Sequence, residues 1–393
     1  MSGSMADLLT RSSAIDLFDP PPPLAGVRLA LVGVHGTGDG VTGQLSSRLV
    51  ELGAEVTVFC EDGGPPVVRP SEGARFESVG RAGDGVLSGL LRDVRALHRS
   101  RWRFDVVHLL GCEAAFATRI ARSTGTEVWS SVDPWEASGG QAVRTTRSWS
   151  RWMRRLVGRR VDRLLFESEA SSRAFFETYG GRVPHEVLPP GVRVPDGVDP
   201  LPLGPLRLTP AGYFLTPGPC RPGSGLEEII EGHRRSLVRQ PLVVMSHPDE
   251  GGSRGKGFAR YEGALVRFQG ARIRRSTLSA LRAHSRGYIQ GPSCAGGVSG
   301  LVAAMAHGAP ILAHDDRGNR EVLGDAALYF SDAASLESRL TELSLCDAEA
   351  RAAFGEEGRE RAARHHGWDV IAEHYAALLL EARSRIREQA RAY

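Results

Sequence analysis

The chain lacks several things whose absence narrows its class. No apolar run approaches the roughly 18 residues that a bilayer-spanning helix needs. The opening stretch, MSGSMADLLTRSSAIDLFDPPPP, has no basic segment leading into an apolar core, so no secretory signal is expected. The five cysteines, Cys60, Cys112, Cys220, Cys294 and Cys346, are scattered, odd in number and without a CxxC spacing. That argues against a disulfide framework and a cysteine zinc site. Lysine is almost missing, with Lys256 the only one among 49 basic residues. A net charge of +3 is small for 393 residues and gives no global field for nucleic acid or a membrane. A cytoplasmic protein without metal, resident cofactor or nucleic-acid partner is expected.

What is present reads as an α/β protein of two domains. The length exceeds what one ordinary core supports, and 41% hydrophobic with 24% charged residues is the composition of a globular chain. Arg28–Val34 (RLALVGV) predicts a buried strand, followed by a glycine-rich turn, a helix at Gln44–Leu52 and a second strand at Val56–Cys60. Further apolar runs fall at Val106–Leu110, Val128–Ser131, Arg163–Phe166 and Glu186–Leu188. Pro189–Pro210, with seven prolines and no periodicity, predicts a linker. A second series of strands then starts at Tyr213–Leu215 and continues through Leu242–Met245, Leu265–Phe268, Gly287–Ile289, Pro310–Ala313 and Ala327–Phe330. The expected layout is a leader over 1–25, a first domain over 26–200, a second over 201–365, and a tail helix over 366–393 crossing back to the first. Ligands of open parallel sheets bind outside the carboxyl ends of the strands, so the site belongs in a cleft between the two domains.

Two glycine loops bear on that site. Gly33–Gly43 (GVHGTGDGVTG) contains G-x-G-x-x-G at Gly38, Gly40 and Gly43, with Glu61 after the next strand, which opens the reading of an NAD-dependent oxidoreductase. Against it, the motif begins five residues beyond the predicted strand end, where a dinucleotide fingerprint starts at once. The second loop, in Gly291–Pro310 (GPSCAGGVSGLVAAMAHGAP), is glycine-rich and feeds a helix, the arrangement that seats an anion on backbone N–H groups. Between Gly291 and His314 there is neither an acidic residue nor a Lys or Arg.

The ordered blocks YFLTPG, GLEEIIEGH, LVRFQGAR, LSALRAHSRGYIQGPS, GGVSGLVAAMAHGAPILAHDD and GNREVLGDAALYFSD resemble the glycosyltransferases of the GT-B fold, family 4, and its rhamnosyltransferase-like subgroup in particular. In the first half DVVHLLGCEAAF, SSVDPWE, VDRLLFESEASSRAFFETYG and VLPPGV are similar in order and spacing. The resemblance runs from about Arg28 to Leu380. It implies two Rossmann-like doubly wound domains facing a central cleft. It also implies a nucleotide-sugar donor on the second domain, a saccharide, lipid-linked or small-molecule acceptor on the first, and transfer with retention of anomeric configuration. The donor contacts so implied are Gly218, Arg221, Ser224, Ser293, Gly296, Gly297, Ser299, Gly300 and Glu321, of which Arg221 and Glu321 are the candidates for a catalytic part.

The chain departs from the family pattern where the pattern carries charge. An Arg and a Lys that contact the diphosphate in the family correspond here to Pro219 and Ser224. Two glutamates spaced by eight correspond to Ala295 (or Gly296) and Ala303. Hence a second reading stands beside the enzyme: a catalytically impaired homologue that binds a nucleotide sugar or a partner protein without turnover. Arg254 and Lys256, on a glycine-rich loop, are alternative sources of phosphate charge.

On the acceptor side His35, Gly38 and Gly40 lie in the first glycine loop. Asp133, Trp135 and Glu136 follow a predicted strand; carboxylates accept from sugar hydroxyls and an indole face stacks on a sugar ring. Arg144–Val161 (RTTRSWSRWMRRLVGRRV) has an apolar stripe opposite arginines, a pattern that suits either packing on its own domain or a peripheral membrane contact.

Overall fold

Short runs of Val, Leu, Ile and Phe bounded by turn residues assemble into two parallel sheets. The first contains β1 (Arg28–Val32), β2 (Glu55–Cys60), β3 (Arg75–Ser78), β4 (Val106–Leu109), β5 (Glu127–Val132), β6 (Arg163–Phe166) and β7 (His185–Val187). Their spatial order is β3-β2-β1-β4-β5-β6-β7. The second contains β8 (Phe214–Pro217), β9 (Leu242–Met245), β10 (Val266–Phe268), β11 (Gly287–Gln290), β12 (Ile311–His314) and β13 (Leu328–Phe330), in the order β10-β9-β8-β11-β12-β13. Every ladder is parallel. This computed structural model describes residues 22–32, 41–60, 73–78, 104–110, 126–132, 161–220, 222–248, 257–270, 273–292 and 297–391.

The helices among these residues are α1 (Val41–Glu51), α2 (Glu169–Tyr179), α3 (Leu226–Arg235), α4 (Arg275–Ala283), α5 (Val298–Ala306), α6 (Arg317–Leu323), α7 (Ala333–Leu345), α8 (Ala348–His366) and α9 (Trp368–Arg391). Among the described residues none is long and apolar enough to cross a membrane, and no cluster of His, Cys, Asp or Glu is set to hold a metal ion. Strands β4, β6 and β11 are buried along their whole length, as expected of parallel strands covered on both faces. In each sheet the strand order reverses once, between β1 and β4 and between β8 and β11. Those two points open the crevices in which a doubly wound sheet binds its ligand.

Two features differ from the sequence reading. The proline-rich segment is not a free linker. Its Leu203 and Leu208 are buried in the second core, and Val192, Val194 and Val198 lean on the same core. Proline fixes the extended path without needing donors, while the apolar residues between the prolines supply the burial. Strand β3 was not foreseen, because RFES carries one apolar residue and pairs on a single side, at the sheet edge.

The tail helix α9 packs on the first sheet. Trp368, Ile371, Tyr375, Leu378, Leu379 and Ala382 recur at helical spacing along α9 and join the core of the first domain with Leu29, Leu31, Leu45 and Trp129. Leu24, assigned by sequence to the leader, is fully buried in that core. Beside it, His108 is enclosed, with Nδ1 2.8 Å from the Tyr375 hydroxyl and Nε2 2.7 Å from Ser131 Oγ. Burial pushes its pKa down to about 3. The Arg385 guanidinium grips both Glu127 oxygens, at 2.7 and 2.9 Å, and closes the far end of the helix on the sheet.

Candidate functional site

The switch point of the second sheet holds a cavity of about 360 Å³, within the size range of small-molecule sites. Its walls come from five places. Pro217, Gly218 and Pro219 end β8; Met245 and Ser246 end β9; Tyr288 lies on β11; Gly300 lies in the first turn of α5. The remaining wall is Ile273 with Leu278 and Arg282 of α4.

Local chemistry holds these pieces together. Gly225, which starts α3, has φ +80°, and a Cβ there would stand 2.2 Å from the ring of Pro292. Only glycine lets the β8 loop and the β11 loop meet. Asn319 fixes the other side of the β11 loop. It is fully buried, and its side-chain amide donates to the Gly291 carbonyl at 3.1 Å and the His314 carbonyl at 2.9 Å. Sequence reasoning passed over Asn319; its cue was an Asp-x-x-Asn spacing at a helix start, where the Asp316 carboxylate caps the Asn319 N–H at 3.0 Å. Helix α4 is pinned by Tyr213, whose hydroxyl donates to the Leu281 carbonyl at 2.9 Å.

Helix α5 begins at Gly297, with φ +91° and open space where a Cβ would be. Gly297 has no side chain with which to cap it, so among the described residues no side chain caps the first turn. Such a terminus favours an anion.

Arg282 is the residue that sequence reasoning missed. It is mostly buried, its Nε is shut off from solvent, and that nitrogen has no hydrogen-bond partner. Among the described residues no carboxylate pairs with it. The ionisable groups near it are Tyr288 and His307, neither of them a carboxylate. Desolvation lowers its pKa, with Tyr288 partly opposing the shift. In sequence Arg282 looks like one more surface arginine near a helix end. Its cue is position: it follows Leu278 by four residues and so shares the inward face.

Of the expected donor contacts, Gly218 and Gly300 line the cavity and Gly297 stands at the start of α5. Ser224 is nearly buried, and its hydroxyl faces the Leu226 N–H at 3.4 Å. Ser299 is exposed and points across to the first domain, 3.4 Å from the Glu167 carboxylate. Glu321 lies outside the cavity wall. Its carboxylate accepts from the backbone N–H groups of Glu169 at 2.6 Å and Ala170 at 3.1 Å, capping α2 of the opposite domain. Arg320 is engaged by Asp315 and stacks 4.3 Å over the ring of Tyr329. Arg221, Ser293 and Gly296 lie outside the described residues, as do Arg254 and Lys256. The same holds for His35, Gly38, Gly40, Asp133, Trp135, Glu136 and nearly all of Arg144–Val161.

Comparison with known proteins agrees with this geometry. Residues 36–191 match the family described as glycosyl transferase 4-like domain. A sucrose-phosphate synthase from Thermosynechococcus elongatus superposes with a TM-score of 0.71 at 17% identity, over 91% of this chain and 100% of that one. The Anabaena HepE protein in complex with UDP and glucose gives 0.67 at 16%, over 90% and 100%. An α,α-trehalose-phosphate synthase (UDP-forming) from Burkholderia vietnamiensis gives 0.65 at 15%, over 91% and 97%. No curated protein sequence matches the chain. The fold is GT-B: two Rossmann-like domains facing each other, as the resemblance implied.

Proposed function

We propose that the protein is a glycosyltransferase that takes its sugar from a nucleotide-sugar donor seated at the switch point of the second sheet. The supporting observation is the cavity between β8 and β11, which reaches Gly300 in the first turn of α5, while the neighbouring Ser299 faces Glu167 of the first domain. The similar Anabaena protein is described with UDP and glucose, and the family match falls on the first domain.

In this reading the donor's diphosphate lies along Gly297–Gly300 and the sugar projects toward the first domain. The bond between the anomeric carbon and the diphosphate oxygen breaks, the acceptor hydroxyl oxygen bonds to that carbon, and the hydroxyl proton passes to a phosphate oxygen. Negative charge grows on the leaving diphosphate, and fixed N–H dipoles with a nearby cation offset it. Retention, and a saccharide, lipid-linked or small-molecule acceptor, are the finer parts of the proposal. An NAD enzyme is disfavoured: Gly43, the third glycine of its motif, lies inside α1 rather than at the turn before it.

The non-catalytic reading retains one specific support, the neutral Pro219 and Ser224 at the positions of the family's phosphate cations. Release of nucleoside diphosphate from a panel of nucleotide sugars separates the two. An enzyme releases it at a rate that acceptor addition raises; a binder is stabilised by the same nucleotides and releases nothing.

A further inference from the structure

Resting on the donor-site reading, we propose that Arg282 is the cation that receives the donor's diphosphate, supplying from α4 the charge absent at Pro219 and Ser224. Three observations carry this. First, Arg282 lines the same cavity as Gly218 and Gly300, so its guanidinium and the start of α5 share one space. Second, it is mostly buried yet has no acidic partner among the described residues, and its Nε is unbonded. An unpaired cation in such surroundings is costly to keep and gains most from an anion that enters with its own oxygens. Third, α4 is held in place by Tyr213, which bonds the carbonyl of Leu281 next to Arg282 at 2.9 Å. The fork is therefore presented by a rigid element.

The route differs from a cation on the β8 loop. There the charge comes from above the sheet edge; here it comes from the side wall, across β11. Tyr288 lines the cavity with Arg282, and a Cβ on Gly300 would sit 3.7 Å from its hydroxyl. Arginine suits this place better than lysine, because its planar fork bonds two phosphate oxygens at once and stays charged when desolvated.

The test is titration calorimetry with a panel of nucleoside diphosphates, their parent nucleosides and inorganic pyrophosphate, on wild type, Arg282→Met and Arg282→Lys, together with apo melting curves. Arg282→Gln replaces the Met variant if the latter does not fold. Wild type binds at least one nucleoside diphosphate. In Arg282→Met that affinity falls about 30-fold or more, nucleoside affinity stays within about twofold, and the apo melting temperature holds or rises because an unpaired buried charge has gone. Arg282→Lys lies between. Unchanged diphosphate affinity in Arg282→Met overturns this assignment and leaves the donor reading intact. A fall in apo stability with parallel loss of nucleoside binding also overturns it, as a merely structural residue would behave so. Pyrophosphate binding as tightly as the diphosphates, with the same dependence on Arg282, assigns the seat to a free phosphate ligand and overturns the nucleotide assignment. Wild type binding no nucleoside diphosphate overturns both readings.

Discussion

At the scale of single residues, two positions show how chemistry is set by surroundings. His108 is the same imidazole as any other, yet enclosure between Tyr375 and Ser131 holds it neutral, with its pKa pushed to about 3. A histidine that cannot charge in the fold, but does charge when unfolded, costs stability as pH drops below about 6.5. The loss grows until the folded pKa is reached. By pH 5 it amounts to about 2 kcal/mol. His108→Gln, which keeps a donor and an acceptor, is expected to remove that part of the acid sensitivity, so denaturant midpoints of variant and wild type converge between pH 7.5 and pH 5. Gly225 is the second case. Gly225→Ala combines a positive φ with overlap on Pro292, and is expected to lose about 2–4 kcal/mol, read from urea unfolding. It also separates the two loops that frame the cavity, so nucleotide binding weakens with it.

At the scale of elements, what the sequence made legible was governed by burial on both faces. The fully covered strands, such as RLLF and GYIQ, announce themselves as apolar runs between turns. The edge strand RFES does not, because pairing on one side leaves its side chains without a pattern. The glycine-rich run before α5 was legible as a turn leading into a helix from composition alone. Arg282 and Asn319 were not, because their roles depend on which loop the sheet brings beside them, and no local pattern encodes that. The tail helix was legible as a helix, and its docking makes a quantitative prediction. Tyr375 is fully buried against His108 and Trp129. Tyr375→Ala is expected to cost about 3–5 kcal/mol, and Tyr375→Phe only about 1 kcal/mol for the lost hydroxyl contact. Thermal melts of the two variants distinguish packing from polar anchoring.

At the scale of the whole molecule, the two domains touch through α6 and α5 of the second and the segment around α2 of the first. Glu321 of α6 caps the N-terminus of α2 across the gap, and Ser299 of α5 faces Glu167. Both of these contacts are polar, which suits a pair of domains that opens and closes around a substrate. Glu321→Ala removes the acceptor for two N–H groups and is expected to favour the open arrangement. Small-angle scattering then shows a larger radius of gyration for the variant without ligand, while the melting of each domain changes little. An unchanged radius would mean that other contacts hold the domains together.

The central proposal is that a donor diphosphate lies between Arg282 and the start of α5 at the β8–β11 switch point. A crystal structure with a tightly binding nucleoside diphosphate decides it. The prediction is phosphate density within hydrogen-bond distance of the Arg282 guanidinium and the first-turn N–H groups of α5. Density at any other place, with this cavity left empty, contradicts it.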